Sequence, residues 1–246
     1  IAARSGDVSP VLSELIAKAL HALGDASAAR SHLAECHAAE PPEANALIQR
    51  IGHASPHEIL PDLVRLQHSH PASFHLAANV AVAQQAAGHR AIAAALFRHA
   101  LWLMPTSDEV LFRLGSLIAE DGRHSEGAAM LKHALLINPG HHRAKVRLGT
   151  VQVDLLDSAA AERTFREALE TDPDNPATLR YLASALTNLG RNDEAVSRLR
   201  QALEIRPDDQ VTFTQYISLL NYLPMPSPGA RYREIRRFNE MFQKPP

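Results

Sequence analysis

Arg113, Arg147 and Arg180 recur about one sequence period apart and are the side chains best suited by type and spacing to act on a partner. A row of guanidinium groups on one surface would hold carboxylates through charge-assisted hydrogen bonds, so an acidic peptide is the ligand it suits. The competing account is an ordinary solvated face, with Glu109, Glu120 and Asp154 close enough to neutralise it. Fourteen histidines raise metal binding as a second chemistry. His53 and His57 are four apart, but Ser55-Pro56 is a helix start between them and denies them a common face. His68 and His70 flank a helix end, and His141 and His142 fall in a loop beside Pro139-Gly140. No Cys or acidic ligand joins any of these at zinc-site spacing, so no metal and no cofactor is expected. The chain also has no phosphate-cradling glycine loop, nucleophile elbow or paired carboxylates, and no catalytic residue is expected in it.

Composition narrows the partner. Lys and Arg number 25 against 27 Asp and Glu, for a net charge of −2, which argues against nucleic acid held by bulk charge. No apolar run approaches the roughly 18–20 residues that span a bilayer, so no membrane segment is expected. Cys36 is the sole cysteine; it allows no internal disulfide and points to a reducing, cytoplasmic compartment. The opening residues IAARSGDVSP lack an initiator Met and a secretory pattern, and read as a cut inside a longer chain.

The elements that must carry these side chains are set by a period. Pro71, Pro105, Pro139, Pro173 and Pro207 each stand 34 residues after the last. Small residues keep the step at Ala81, Gly115, Gly149 and Ala183, at Ala93, Gly127, Ala161 and Ala195, and at Ala100, Ala134, Ala168 and Ala202. Large apolar residues keep it at Val80, Leu114, Leu148 and Leu182, and at Phe97, Leu131, Phe165 and Leu199. Two helices of about a dozen residues per period explain the pattern, with small side chains where paired helices cross. Gly88, Gly122 and Gly190 mark the turn between them, where φ > 0 favours glycine, and Leu156 takes that place once. The recurring Pro ends the second helix.

A 34-residue helix-turn-helix with this placement resembles the tetratricopeptide repeat, which implies an all-α, right-handed superhelix of antiparallel helix pairs. The units fall at about 10–43, 44–73, 74–107, 108–141, 142–175 and 176–209, making an array over 1–209 and an atypical helical pair over 210–246. In the first unit Cys36 takes a small buried place and reads as a structural thiol. The second unit is short, with a first helix over about 43–52 and a second over about 56–69 carrying Pro61; Ile59 and Leu66 replace small residues there.

In such a stack the first helices line the concave side. The expected groove residues are Asn79, Phe112, Arg113, Arg143, Arg147, Arg180, Tyr181, Ser184 and Asn188, and the expected partner is a protein or peptide. At the other end, Tyr232, Ile235, Phe238 and Phe242 make an apolar face suited to docking a further domain. The series Leu219-Leu220-Asn221-Tyr222, Pro224, Ser227-Pro228, Tyr232, Glu234, Arg236, Phe238, Glu240 and Phe242 is similar to the connector of SPINDLY-type and O-linked N-acetylglucosamine transferase-like proteins. That resemblance implies a nucleotide-sugar-dependent catalytic domain in the parent chain after Pro246, with these repeats recognising its substrates; a free-standing adaptor is the alternative. Ile235 stands where the connector commonly has His. Of the family's groove asparagines only Asn79 remains, with Arg113, Arg147 and Tyr181 in later units, so a different ligand preference is implied.

Overall fold

The computed structural model describes residues 56–223 and, after them, positions 229, 232, 233, 235, 236 and 240. The expectations for unit 10–43, Cys36, helix 43–52, Phe238 and Phe242 lie outside the described residues. Within them are ten helices and no strand: α1 (Pro56–Ser69), α2 (Phe74–Ala86), α3 (Arg90–Leu103), α4 (Asp108–Glu120), α5 (His124–Ile137), α6 (His142–Asp154), α7 (Ser158–Thr171), α8 (Pro176–Asn188), α9 (Asn192–Ile205) and α10 (Gln210–Leu220). First helices begin at Phe74, Asp108, His142, Pro176 and Gln210, and second helices at Arg90, His124, Ser158 and Asn192, each series advancing by 34 residues. The region is an all-α array of antiparallel helix pairs.

Capping residues hold the period. Ser73, Ser107, His141, Asn175 and Asp209 stand two residues after the recurring prolines, and each accepts a hydrogen bond from an otherwise unpaired amide of the first turn: Leu76, Val110, Ala144, Thr178, and Val211 with Thr212. His141 therefore acts as a helix cap, and His142, expected in a loop, is the first residue of α6. The second helices start differently. Three of the turns close by a backbone bond, with the amides of His89, Asp157 and Arg191 returning to the carbonyls of Gln84, Gln152 and Leu186, and only Asp157 among them also caps its helix with a side chain, accepting from the Ala160 amide at 3.0 Å. This closure needs a left-handed residue just before the returning amide. Gly88, Gly122 and Gly190 take φ of +84°, +82° and +75°, and Leu156 takes +62°. Leu156 is also 90% exposed, so no packing offsets its backbone strain. Leu156→Gly is expected to raise stability by about 0.5–1 kcal/mol, the relieved strain less the added freedom of the unfolded chain. Urea unfolding should show a higher midpoint at unchanged slope; a lower midpoint contradicts it.

All twelve small positions named above are buried, as are the eight large ones. The chain divides into two compact units at Ile118 and Ala119. In the first, Ile59 and Leu63 of α1 pack with Leu76, Val80 and Ala83 of α2, and Leu66 joins at the edge. The expected span of α1 is the observed one, and large side chains occupy its contact face where later units use alanine. In the second, α7–α10 share one core: Phe165 and Ala161, Leu182 and Leu186, Leu199 and Leu203, then Tyr216, Leu219 and Leu220. Among the described residues no helix is long and apolar enough to cross a membrane.

Candidate functional site

Two caps and one buried face position the C-terminal first helices. Asn175 fixes the start of α8 and also accepts from the Thr178 hydroxyl at 3.1 Å. Asp209 fixes α10, accepting from the amides of Val211 and Thr212 at 3.1 and 3.3 Å and from the Thr212 hydroxyl at 2.6 Å. Partial burial pushes the Asp209 carboxyl up, but these three hydrogen bonds and the Arg180 charge outweigh it, and its pKa lies below the usual aspartate value. A carboxyl with a depressed folded-state pKa adds stability above the unfolded value of about 3.9 and loses it as pH falls through the folded value. Asp209→Ala is thus expected to cost about 0.5–2 kcal/mol at neutral pH. Its stability curve should converge on the wild type's in acid, and a constant gap across the titration would refute the assignment.

Tyr216, Leu219 and Leu220 anchor α10 in the core, with Arg200 Nη2 donating to the Tyr216 hydroxyl at 3.3 Å. Between α8, α9 and α10 lies a hollow of about 490 Å³. Ala183, Leu199 and Leu219 give it an apolar floor; Ser184, Thr187, Asn188, Asn192, Thr214, Gln215 and Ser218 line the rest, with Tyr222 at its edge. No lining residue is charged. The hydroxyls of Ser184, Thr187 and Thr214 donate back to the carbonyls of Arg180, Ala183 and Gln210 on their own helices, at 3.3, 2.9 and 2.8 Å. What each has left to offer a ligand is its oxygen's lone pairs. Gln215 Oε1 is sealed from solvent and accepts no hydrogen bond from the described residues. The lining of the hollow is therefore neutral.

Ser184 and Asn188 are the expected groove residues that line this hollow. The arginines are placed otherwise. In the first unit Arg113 Nε lies 2.6 Å from Glu109, and in the second Arg147 Nη2 lies 3.4 Å from Glu120. Arg143 is exposed. Arg180 stacks over the Tyr181 ring at 4.6 Å, and Tyr181 stacks in turn on Phe165, their ring centroids 5.9 Å apart. Phe112, expected to face outward, is buried. The Asn79 amide donates to the His75 carbonyl of its own helix at 2.8 Å. Of the expected docking face, Tyr232 is exposed and Ile235 half-buried.

Sequence reasoning missed Thr187, Asn192, Thr214, Gln215, Ser218 and Tyr222. A signal for four of the six was present: one further 34-residue step carries Arg180 to Thr214, Tyr181 to Gln215, Ser184 to Ser218 and Asn188 to Tyr222. Several histidines are engaged locally. His99 bonds the Pro71 carbonyl at 2.8 Å, and His89 bonds Gln84 Oε1 at 2.7 Å. No group of three His, Cys, Asp or Glu placed to hold a metal occurs among the described residues.

Residues 156–212 match the tetratricopeptide repeat family model. Among solved structures the fold is similar to pilF of Pseudomonas aeruginosa, at 20% identity and a TM-score of 0.67 over 81% of this chain and 88% of that one. It is similar to MamA at 18% identity and a TM-score of 0.60, over 64% of this chain and 92% of that one. It is also similar to YrrB, described as a TPR protein with an unusual peptide-binding site, at 12% identity and a TM-score of 0.57, over 85% of this chain and 93% of that one. No curated protein matches the chain. At these identities the likeness is one of fold, that of an array of helical repeats.

Proposed function

We propose that this chain is a protein-interaction scaffold that seats a segment of a partner polypeptide in the hollow between α8, α9 and α10. The observation that carries the proposal is that hollow: a concavity of about 490 Å³ with an apolar floor and polar walls, built at repeat-equivalent places on successive first helices. Its volume lies within the range of ligand-binding clefts, about 300–1,000 Å³, and it mixes apolar area with a few placed polar groups as such clefts do. A photo-crosslinking amino acid tests it. Thr214, in the hollow, and Ser197, exposed on α9 outside the hollow's lining, are the two positions. Crosslinks to a polypeptide are expected from position 214 and not from 197; the reverse pattern refutes the site. The single cysteine keeps the cytoplasm as the compartment of this proposal.

A second reading attaches the scaffold to a glycosyltransferase. It is supported by the connector series from Leu219 to Phe242 and rests on that series alone. The encoded chain after Pro246 decides it. A further ~300 residues of α/β pattern supports the transferase, since two nucleotide-binding lobes need about that length; an immediate stop codon leaves the adaptor.

A further inference from the structure

Arg113 and Arg147 are each paired with a glutamate, and Arg180 is not. Its guanidinium lies over the Tyr181 ring and forms no ion pair or hydrogen bond with any described residue. Nε is sealed from solvent, whereas the two terminal nitrogens, which also lack a partner, are not. Arg180, Ser184 and Thr187 stand four and three residues apart on α8, one above another on a single face, and the Ser184 hydroxyl donates to the Arg180 carbonyl. Ser184 and Thr187 line the hollow, so Arg180 stands one turn beyond its lining. Its charge reaches the Asp209 carboxyl at the start of α10, which places the guanidinium on the side of α8 that the hollow occupies. Asp209 does not satisfy it, because both Asp209 oxygens are engaged by the amides of Val211 and Thr212 and the Thr212 hydroxyl.

The stack beneath Arg180 also holds it in place. Tyr181, 4.6 Å from the guanidinium, stacks on Phe165, which is fully buried. A guanidinium seated on a ring fixed in the core has already given up much of its rotamer freedom, so gripping a ligand costs it less than it costs a free side chain. Its planar fork matches a carboxylate, and a cationic segment would meet it with like charge. The lining agrees in sign. It carries no negative charge, and the amide N–H groups of Asn188, Asn192 and Gln215 donate to no described residue.

We infer that the segment seated in the hollow carries an acidic side chain beside an apolar one, the carboxylate gripped by the terminal nitrogens of Arg180 and the apolar side chain resting on Ala183, Leu199 and Leu219. This rests on the scaffold reading above and adds to it the class of partner. One turn of α8 is about 5.4 Å and an extended segment advances about 3.3 Å per residue, so the acid stands within about two residues of the apolar side chain.

The test uses ten-residue peptides blocked at both ends, with the intact chain as probe. Three sets place Asp or Glu, Asn or Gln, or Lys or Arg within two residues of a Leu or Phe. The acidic set is expected to bind about tenfold more tightly than its amide isosteres, the scale of one charge-assisted hydrogen bond, and the basic set not at all. High salt should narrow the gap. Arg180→Gln, checked for an unchanged melting curve, should bind the acidic and amide sets within twofold of each other. Arg163→Gln, which removes the same charge from an exposed place on α7, should leave the acidic preference as it is in the wild type. Equal binding of all three sets overturns the inference and leaves the scaffold reading intact. An acidic preference that survives Arg180→Gln, or that Arg163→Gln abolishes equally, overturns the role of Arg180. Binding that appears only when the peptide's C-terminus is unblocked overturns the side-chain carboxylate as the recognised group. Failure of every set to bind, blocked or unblocked, overturns both readings.

Discussion

Gly149→Ala is expected to lower stability by about 1–3 kcal/mol, although alanine is the better helix former by about 1 kcal/mol. A methyl group at Gly149 would stand 2.4, 2.7 and 2.8 Å from three atoms of the Phe165 ring, distances that real side chains do not tolerate. The ring has little freedom to yield. Phe165 is fully buried, belongs to the shared core of α7–α10, and stacks on Tyr181 with an interplanar angle of 18°. Interiors packed to this density pass strain on to their neighbours. Phe165→Ala alone is expected to cost about 3–5 kcal/mol through lost burial and the cavity left behind. Combined, the two changes should not add. With the ring gone, the methyl at 149 has space and its helix propensity is favourable, so Gly149→Ala becomes neutral or stabilising in the Phe165→Ala background. Denaturant unfolding of the four proteins measures the coupling, expected to exceed about 1 kcal/mol in the compensating direction. Simple additivity would falsify the claim that the ring is what forbids a side chain at 149.

That crossing shows what could be read from the residues. Period and contact class were legible because a close helix crossing leaves few options: Ala81, Gly149 and Ala183 keep one phase, and so do Ala93, Ala161 and Ala195. The helix starts were legible too, since Pro followed two residues later by Ser, Asn or Asp is a stop and a cap in one. Whether a given small place needs alanine or glycine was not, because it depends on the rotamer of a ring on the opposing helix. The next pair, Ala183 and Leu199, shares the core of its unit with a methyl present.

The binding surface was less legible. Arginines stood out by charge, but a guanidinium reaches several ångströms, and its partner is chosen by neighbours that sequence spacing alone does not rank. Arg113 found Glu109 on its own helix, and Arg147 found Glu120 on the preceding first helix. Phe112 adjoins Arg113 in sequence, and a step of one residue turns about 100° around a helix, enough to carry it from an outer face into the core. The hollow is made of residues with no charge and modest size, so nothing in composition marks it. Leu156 is the reverse case: the repeat phase put it at a glycine place, and the backbone holds it there at φ +62°.

Tyr216→Ala is expected to cost about 3–5 kcal/mol and, with it, the hollow. Tyr216 is fully buried and contributes the largest side chain by which α10 joins the core of α7–α9, with Leu219 and Leu220 beside it. Thr214, Gln215, Ser218 and Leu219 of the same helix form one wall of the hollow. Removing the ring should loosen α10 before the helices that precede it, because a terminal helix in a repeat array is held from one side. Amide exchange over 210–220 should accelerate more than over 176–205, and crosslinking from position 214 should fall. Tyr216→Phe separates packing from polarity. It loses the hydrogen bond from Arg200, at 3.3 Å, which contributes about 0.5–1.5 kcal/mol, and keeps the ring that positions the wall. Crosslinking from 214 should survive in Tyr216→Phe and fail in Tyr216→Ala. If both variants retain it, the hollow does not depend on how α10 is anchored; if both lose it, the Tyr216 hydroxyl and not its bulk sets the geometry on which recognition rests.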